Sequence, residues 1–283
     1  MPRLLSQFLR PAALISALGL MCGLAASYAL AAGAETGKLD KELERRAFVA
    51  ENLVFTFYHE LGHALIDLLE VPVLGKEEDA VDALAVLLSS QGHAPEAADA
   101  MIASAAESFA ISDEWAAQGG EEFAFWDEHS LDAQRFYSII CLYYGGEPDE
   151  LETMADDMEL PDERRDLCID ERAQAERAWS NVFDSMDKEM DSAFTQGVTL
   201  IRKTPSSDEN KQAAKLLAGS DLLEQAIAGF NSAFATPAAV TVTLTGCEEA
   251  NAFYDTETRG ITLCYELISE FAEQIDWALE NEQ

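Results

Sequence analysis

Basic residues are scarce in this sequence. Its 283 residues include 18 Lys and Arg against 53 Asp and Glu, which gives a formal net charge of −35 at pH 7. Such a charge repels the phosphates of nucleic acids and anionic membrane surfaces, so nucleic acid is excluded as a partner. The ordinary role of so many acids is a solubilising surface, and the attraction of a basic partner or substrate is the alternative.

Cysteine is rare as well: there are 5, and none stands in the close Cys-x-x-Cys spacing of a structural zinc site. If Cys22 is lost with the N-terminal segment described next, Cys141, Cys168, Cys247 and Cys264 remain. In a chain bound for an oxidising compartment, this even number favours two disulfides. Proximity in sequence favours the pairs Cys141–Cys168 and Cys247–Cys264.

The N-terminal residues 1–34 have the pattern of an export signal that is removed. Arg3 and Arg10 precede an uncharged, largely apolar run from Ala12 to Leu30, and small residues allow cleavage after Ala31 or Ala34. We therefore expect an exported protein, periplasmic or secreted, with no stable membrane insertion after signal removal. A retained membrane anchor is the alternative, because the run is nearly long enough to span a bilayer.

The rest of the chain, residues 35–283, is expected to form one domain, because about 250 residues fit one large domain or two small ones. In the whole sequence, 48% hydrophobic and 25% charged residues are ordinary globular values. Apolar residues recur at helical spacing in segments 38–69, 77–89, 94–110, 130–144, 162–184 and 208–235. Segments 239–245, 251–254 and 260–265 are predicted strands, the last two joined as a hairpin. The sequence thus predicts an α+β fold, predominantly helical, with a small disulfide-stapled sheet. The polar segment 183–210 is a candidate flexible connection.

The strongest chemical signal is the segment His59-Glu60-Leu61-Gly62-His63. On a helix, His59 and His63 project from one face and can share a metal ion, while Glu60 can act as general base on a metal-bound water. By chance this pattern is expected in about one such chain in two hundred. Gly62 costs about 1 kcal/mol in a helix interior, and a backbone or substrate that approaches closely would explain it.

A catalytic zinc ion needs a third protein ligand and leaves its fourth position to water. Glu78 is the predicted ligand, because it lies at the start of the next helix, after the turn at residues 71–75. Asp82 follows one helical turn later on the same face, where it can accept the free N–H of a zinc-bound histidine. Glu77 and Asp79 on the adjoining faces are competing ligands. An acidic cluster that merely favours a helix N-terminus is the alternative without a metal.

The residues from His59 to Ala64, followed by Glu78 and Asp82, resemble the gluzincin peptidases. In these zincins, two His and a Glu bind zinc, and an Asp four residues after the Glu supports a histidine. The whole chain also resembles a bacterial family classed as metallopeptidases of otherwise unknown function, through segments 77–80, 127–132 and 264–267.

A second resemblance lies in Asn251-Ala252-Phe253-Tyr254, which is similar to the substrate-binding edge strand of thermolysin and neprilysin. It implies that Asn251 and Ala252 bind the backbone of the substrate. In thermolysin-like enzymes this strand precedes the zinc helix in sequence, whereas here it follows. An ordinary hairpin stapled by a disulfide is therefore the alternative.

The two remaining histidines differ in their expected roles. In gluzincins a His or Tyr from a later helix stabilises the oxyanion of the tetrahedral intermediate, and the resemblance implies this catalytic role for His129. Arg135 and Tyr137 on the same predicted helix are rivals for it. His93 follows a Gly in a turn and is expected to be exposed.

Taken together, these features predict a zinc-dependent hydrolase, with one Zn²⁺ per chain, that cleaves a peptide or protein substrate; a basic substrate is one option. Glu60 would activate the zinc-bound water. The alternative from a different class is a catalytically inactive, exported acidic binding protein on a zincin scaffold. A helical interaction protein with an accidental motif is a third possibility, and it would hold no stoichiometric zinc.

Overall fold

The computed structural model of the protein describes residues 25–120, 122–186 and 194–281, with side chains placed from residue 39 onward. Most of the predicted signal at residues 1–34 lies outside the described residues, so its removal stays a prediction. Among the helices that are described, none combines the length and hydropathy needed to cross a membrane.

Within the described residues the fold is mostly helical with one small sheet, which confirms the predicted α+β class. The helices are α1 (Ala25–Leu69), α2 (Glu77–Gly92), α3 (Pro95–Gly119), α4 (Asp132–Tyr144), α5 (Pro148–Asp157), α6 (Asp162–Asp184), α7 (Asp208–Leu216), α8 (Leu222–Ala233) and α9 (Tyr265–Asn281). The strands are β1 (Val198–Arg202), β2 (Val240–Thr245), β3 (Ala252–Asp255) and β4 (Gly260–Cys264).

The helix α1 is the element around which the others pack. It is continuous through residue 69, so the predicted helical segment 38–69 forms a single helix. It contacts α2, α3, α8 and α9. Phe57, Leu61 and Leu65 are fully buried because neighbours cover several sides of this helix. It ends where Glu70 adopts a φ of 51°, just before Pro72, which cannot continue a helix.

Several segments differ from the sequence predictions. The single helix predicted at residues 208–235 is wrong: the chain forms α7 and α8, separated by Gly219 at a φ of 84°. A left-handed residue cannot lie inside an α-helix, and glycine adopts this conformation without a steric penalty. The helices α5 and α9 and the strand β1 were not predicted.

The sheet has the order β1-β2-β4-β3. Strands β1 and β2 pair in parallel, as do β2 and β4, whereas β3 pairs antiparallel with β4. The hairpin predicted from residues 251–265 is therefore confirmed, and β3 is an edge strand. The strand β1 lies within the segment predicted as a flexible connection, of which residues 187–193 are outside the described ranges.

Two disulfides join these elements, and both predicted pairs are confirmed. Cys141 in α4 is bonded to Cys168 in α6, and Cys247 is bonded to Cys264 at the end of β4. Disulfides persist in oxidising compartments, which fits an extracellular or periplasmic protein.

Candidate metal centre

The site is built on the last third of α1, where α2 approaches closely. A Cβ atom at Gly62 would lie 2.7 Å from Cγ1 of Val81, a fully buried residue of α2. The close approach that the sequence assigned to a backbone or a substrate is therefore made by a side chain of α2. Because Gly62 has no side chain, α2 can bring its first two turns against His59 and His63.

The two histidines are held in matching ways. Their ring centroids are 5.1 Å apart. His59 Nδ1 lies 2.7 Å from Asp82 Oδ1, and His63 Nδ1 lies 2.8 Å from Glu77 Oε1. A carboxylate at Nδ1 fixes the tautomer in which Nε2 is free to bind a metal ion. Asp82 therefore contacts the first histidine, and Glu77 has the corresponding position at the second histidine.

Glu78 is the carboxylate that both Nε2 atoms face. Its Oε2 lies 3.1 Å from His59 Nε2, and its Oε1 lies 3.4 Å from His63 Nε2. The two competitors have other partners, since Glu77 contacts the far side of His63 and Asp79 accepts a hydrogen bond of 2.7 Å from Ser130.

His129 also reaches this carboxylate. Its Nε2 lies 3.1 Å from Glu78 Oε2, and one ligand atom each from His59, Glu78 and His129 all lie within 4.8 Å of one another. The segment that carries His129 is held by Lys76, which donates to the carbonyl oxygens of Asp127 and His129 at 3.2 and 2.8 Å. The side chain of His129 is 44% exposed, so it stands at the open side of the cluster.

These residues fit a divalent metal ion. Glu78 Oε2 is buried and makes no hydrogen bond, although imidazole nitrogens lie close to it. A buried carboxylate oxygen without a hydrogen bond is costly unless a cation compensates it. Imidazole nitrogens with one carboxylate form the ligand set of catalytic zinc sites.

In this cluster each imidazole lies beside a carboxylate, and the two kinds of group shift each other's pKa values. Burial alone would lower the pKa of His59, but Asp82 and Glu78 raise it to about 9. Burial also lowers the pKa of His63, but Glu78 and Glu77 outweigh this effect and raise the pKa to about 9. The pKa of Glu78 is well below its usual range, because the neighbouring rings of His129, His59 and His63 outweigh the effect of burial. Without a metal, the positive charges of the protonated imidazole rings balance the negative charges of the carboxylates.

Glu60 faces a cleft beside the cluster. It is 5% exposed, and among the described residues it has neither a hydrogen bond nor an ion pair. Burial raises the pKa of its carboxyl, and the nearby His59 and His63 oppose that rise. The cleft has a volume of about 270 Å³ and is also lined by His59, His129 and Arg135. A carboxyl that faces a cleft next to candidate metal ligands is placed to exchange a proton with a molecule that binds there.

Asn251 and Ala252 line the same cleft, although they lie nearly 190 residues after the motif of His59 and His63. The Tyr254 hydroxyl donates a hydrogen bond of 2.8 Å to Asp67, which ties β3 to the end of α1. The backbone carbonyl of Asn251 accepts a hydrogen bond from the N–H of Cys264 on the β4 side. The other edge of β3 is unpaired within the described sheet, so it can accept an extended peptide.

The other candidates have different surroundings. Arg135 donates to both carboxylate oxygens of Asp82, so its guanidinium supports that residue. Tyr137 is not among the residues that line the cleft. His93, expected to be exposed, is instead partly buried, because its Nε2 lies 2.9 Å from the hydroxyl of Tyr58.

Sequence reasoning missed the supporting roles of Lys76, Glu77 and Arg135. The sequence indicates Glu77 only as a competing ligand and Arg135 only as a candidate oxyanion donor. The pairing of Arg135 with Asp82 spans 53 positions, and no local spacing indicates it.

A comparison with protein families agrees with this geometry. The model of a family described as "Putative metallopeptidase" matches residues 20–183 and 203–283 of the chain. No curated protein and no solved structure matches it.

Proposed function

The chain belongs to that metallopeptidase family, and from this premise we propose that it is a zinc-dependent peptidase whose metal is held by His59, His63 and Glu78. The observation that carries the proposal is the position of Glu78 within 3.4 Å of Nε2 of both histidines, with a carboxylate behind each ring. Zinc is favoured over magnesium or calcium because two of the three ligands are imidazoles, whereas those ions prefer oxygen.

Peptide hydrolysis would use the residues around the cleft. Bound zinc supplies Lewis acidity, which polarises the peptide carbonyl and makes water a stronger nucleophile. Glu60 removes a proton from the attacking water while the oxygen of the water bonds to the carbonyl carbon. The same carboxyl then gives this proton to the amide nitrogen, and the C–N bond breaks to release an amine and a carboxylic acid. The second proton of the water then passes from the acid to the amine, so the products are a carboxylate and an ammonium group. The pKa of Glu60, raised by burial, suits this exchange.

Two further groups would position the substrate. His129 stands at the open side of the cluster and, when protonated, can donate a hydrogen bond to the oxyanion of the tetrahedral intermediate. The free edge of β3 with Asn251 and Ala252 would bind the peptide as an added strand. The disulfides support action outside the cytosol, after removal of residues 1–34 as an export signal.

Zinc content and cleavage of a peptide library, measured by mass spectrometry, test this proposal. The wild-type protein should bind one zinc ion per chain and cleave peptides. Glu60→Gln should keep the zinc and lose the cleavage, since it removes the base but no ligand. Glu78→Ala should lose both.

The competing function is an inactive binding protein on the same scaffold. In that case the wild-type protein holds zinc but cleaves no more peptide than Glu60→Gln. Full zinc content in Glu78→Ala would instead show that the assignment of the third ligand is wrong.

A further inference from the structure

The cleft beside Glu60 has walls and charges that the catalytic proposal does not use. Its apolar walls come from Phe55 of α1, Phe109 of α3 and Phe271 of α9. Two carboxyls also line it, Asp132 from α4 and Glu270 from α9. These helices lie far apart in sequence, so only the tertiary fold brings the two acids to one cleft.

Neither carboxyl is in an ion pair. Among the described residues, the side chains of Asp132 and Glu270 make no hydrogen bond and no ion pair, although the charges of Arg135 and His129 act on Asp132 from a distance. The nearby cation, Arg135, uses its guanidinium on Asp82. Burial raises the pKa of Glu270, and the charges of Glu273 and Asp132 add to that rise. Burial also raises the pKa of Asp132, and Arg135 only partly opposes it.

The cleft has the marks of a ligand site independently of these two acids. Glu60 is almost fully buried, has no hydrogen-bond partner and faces it. The buried Gln274 in the same lining accepts from Ser108 at 2.6 Å and donates to Ser112 at 3.0 Å. Gln274 is therefore satisfied internally. His129 is paired with Glu78 and Asp127, and Arg135 with Asp82, so the charges of the lining that lack an ion pair are those of the carboxyls.

The acidity continues beyond the cleft. A second cavity of about 630 Å³ shares Ala250 and Glu270 with it. The other acids in its lining are Glu209, Glu248, Glu249, Glu266 and Glu273. A substrate that extends from the cleft into this cavity meets carboxylates along its path, which favours positive charge.

We propose, on the premise of the peptidase function above, that the substrates are basic peptides and that a Lys or Arg side chain occupies the cleft, with its cation at Asp132 and Glu270. The aliphatic stem of such a side chain packs on the phenyl walls while its charged end meets the carboxyls. An acidic side chain is repelled, and a purely apolar one leaves the two carboxylates uncompensated.

Blocked hexapeptides that differ at one position, carrying Lys, Arg, norleucine or Glu, test this proposal. Norleucine matches the stem of Lys without its charge. The zinc-loaded protein should cleave the Lys peptide with a kcat/KM roughly tenfold above that of the norleucine peptide, as expected for a half-buried ion pair. Glu270→Gln and Asp132→Asn should each lower this ratio several-fold, and Glu270→Lys should shift the preference towards the Glu peptide. Glu280→Gln removes an exposed charge from the same helix and should leave the ratio unchanged.

Failure of this inference is distinguishable from failure of the peptidase function. If peptides are cleaved but the Lys to norleucine ratio is near one, or if it survives both Glu270→Gln and Asp132→Asn, the basic subsite is wrong. If nothing is cleaved, the peptidase proposal fails, and the affinity of fluorescent versions of the same peptides for zinc-loaded Glu60→Gln decides the inference. Tighter binding of the Lys peptide that Glu270→Gln abolishes supports it, whereas equal binding overturns it. Thermal melting of each variant verifies folding.

Discussion

Arg135 donates two hydrogen bonds to Asp82, at 2.8 Å to Oδ2 and 2.7 Å to Oδ1, and Asp82 Oδ1 lies 2.7 Å from His59 Nδ1. A chain of contacts thus runs from α4 through α2 to the first histidine of the motif on α1. The guanidinium fixes the carboxylate, and the carboxylate fixes the ring.

Removal of Arg135 should therefore weaken metal binding. Arg135→Ala leaves Asp82 buried without its cation, and loss of such outer support lowers metal affinity by roughly 10–100-fold. Competition with a chromophoric chelator measures the zinc Kd. Arg164→Ala, which breaks the more exposed pair with Glu171, should leave the zinc Kd unchanged, and an equal loss in both variants would contradict the specific role of Arg135.

Of the three histidines at Glu78, His63 and His129 should differ in function. His63→Ala should abolish zinc binding, because it removes a ligand. His129→Ala should retain zinc and lower kcat by roughly 100-fold, in the range of a lost oxyanion donor. Zinc stoichiometry by atomic absorption, measured beside kcat, distinguishes them. If His129→Ala loses the metal and His63→Ala keeps it, the ligands are His59, Glu78 and His129.

The contact between Gly62 and Val81 should limit substitution in the motif. Gly62→Ala places a methyl group against Val81 and should destabilise the fold by about 1–3 kcal/mol, as overpacking does. Val81→Ala in the same chain should restore part of this loss, so the double-mutant cycle should show coupling. Denaturant unfolding measures it. Gly229→Ala, in α8 with no atom near the new methyl group, is the matched control and should be neutral or stabilising.

Asn251 should affect the substrate but not the metal. If its side chain helps to hold an extended peptide at the edge of β3, Asn251→Ala should raise KM or lower kcat/KM by roughly tenfold, the loss of one or two hydrogen bonds. Its zinc content should equal that of the wild-type protein. Asn181→Ala, at an exposed asparagine of α6, provides the control. If Asn251→Ala has the kinetics of the wild-type protein, Asn251 does not bind the substrate and the hairpin has only a structural role.

The metal-free protein should lose stability as pH rises. The pKa values of His59 and His63 are raised to about 9 in the folded chain, above about 6.5 in unfolded chains. Between pH of about 6.5 and about 9, the folded state therefore binds more protons than the unfolded state. The contribution of the two histidines to the free energy of unfolding is complete below pH of about 6.5 and is lost as pH rises to about 9. The melting temperature with a chelator should fall over this range. With saturating zinc the decline should be smaller or reversed, because a metal replaces the protons; equal curves would contradict the assignment.

The sequence by itself determined the parts of the molecule that depend on neighbours along the chain. His59 and His63 share a face because their spacing matches the helical period, and the turn before Glu77 follows from Pro72. The disulfides could be predicted from proximity, and the β3–β4 hairpin from alternation and its turn. These features need only local geometry.

The tertiary structure decided what depends on the packing of distant elements. Which of Glu77 and Glu78 faces both Nε2 atoms depends on the rotation of α2 against α1, which the contact at Gly62 sets. The pairing of Arg135 with Asp82 required α4 to pack beside α2. The strand β1 is short, and its residues Val198–Arg202 lie inside a mostly polar segment; their pairing with β2 identifies them as a strand. The cleft that joins Glu60, Asn251 and Glu270 exists because α1, β3 and α9 fold against one another, and no spacing in the sequence records that contact.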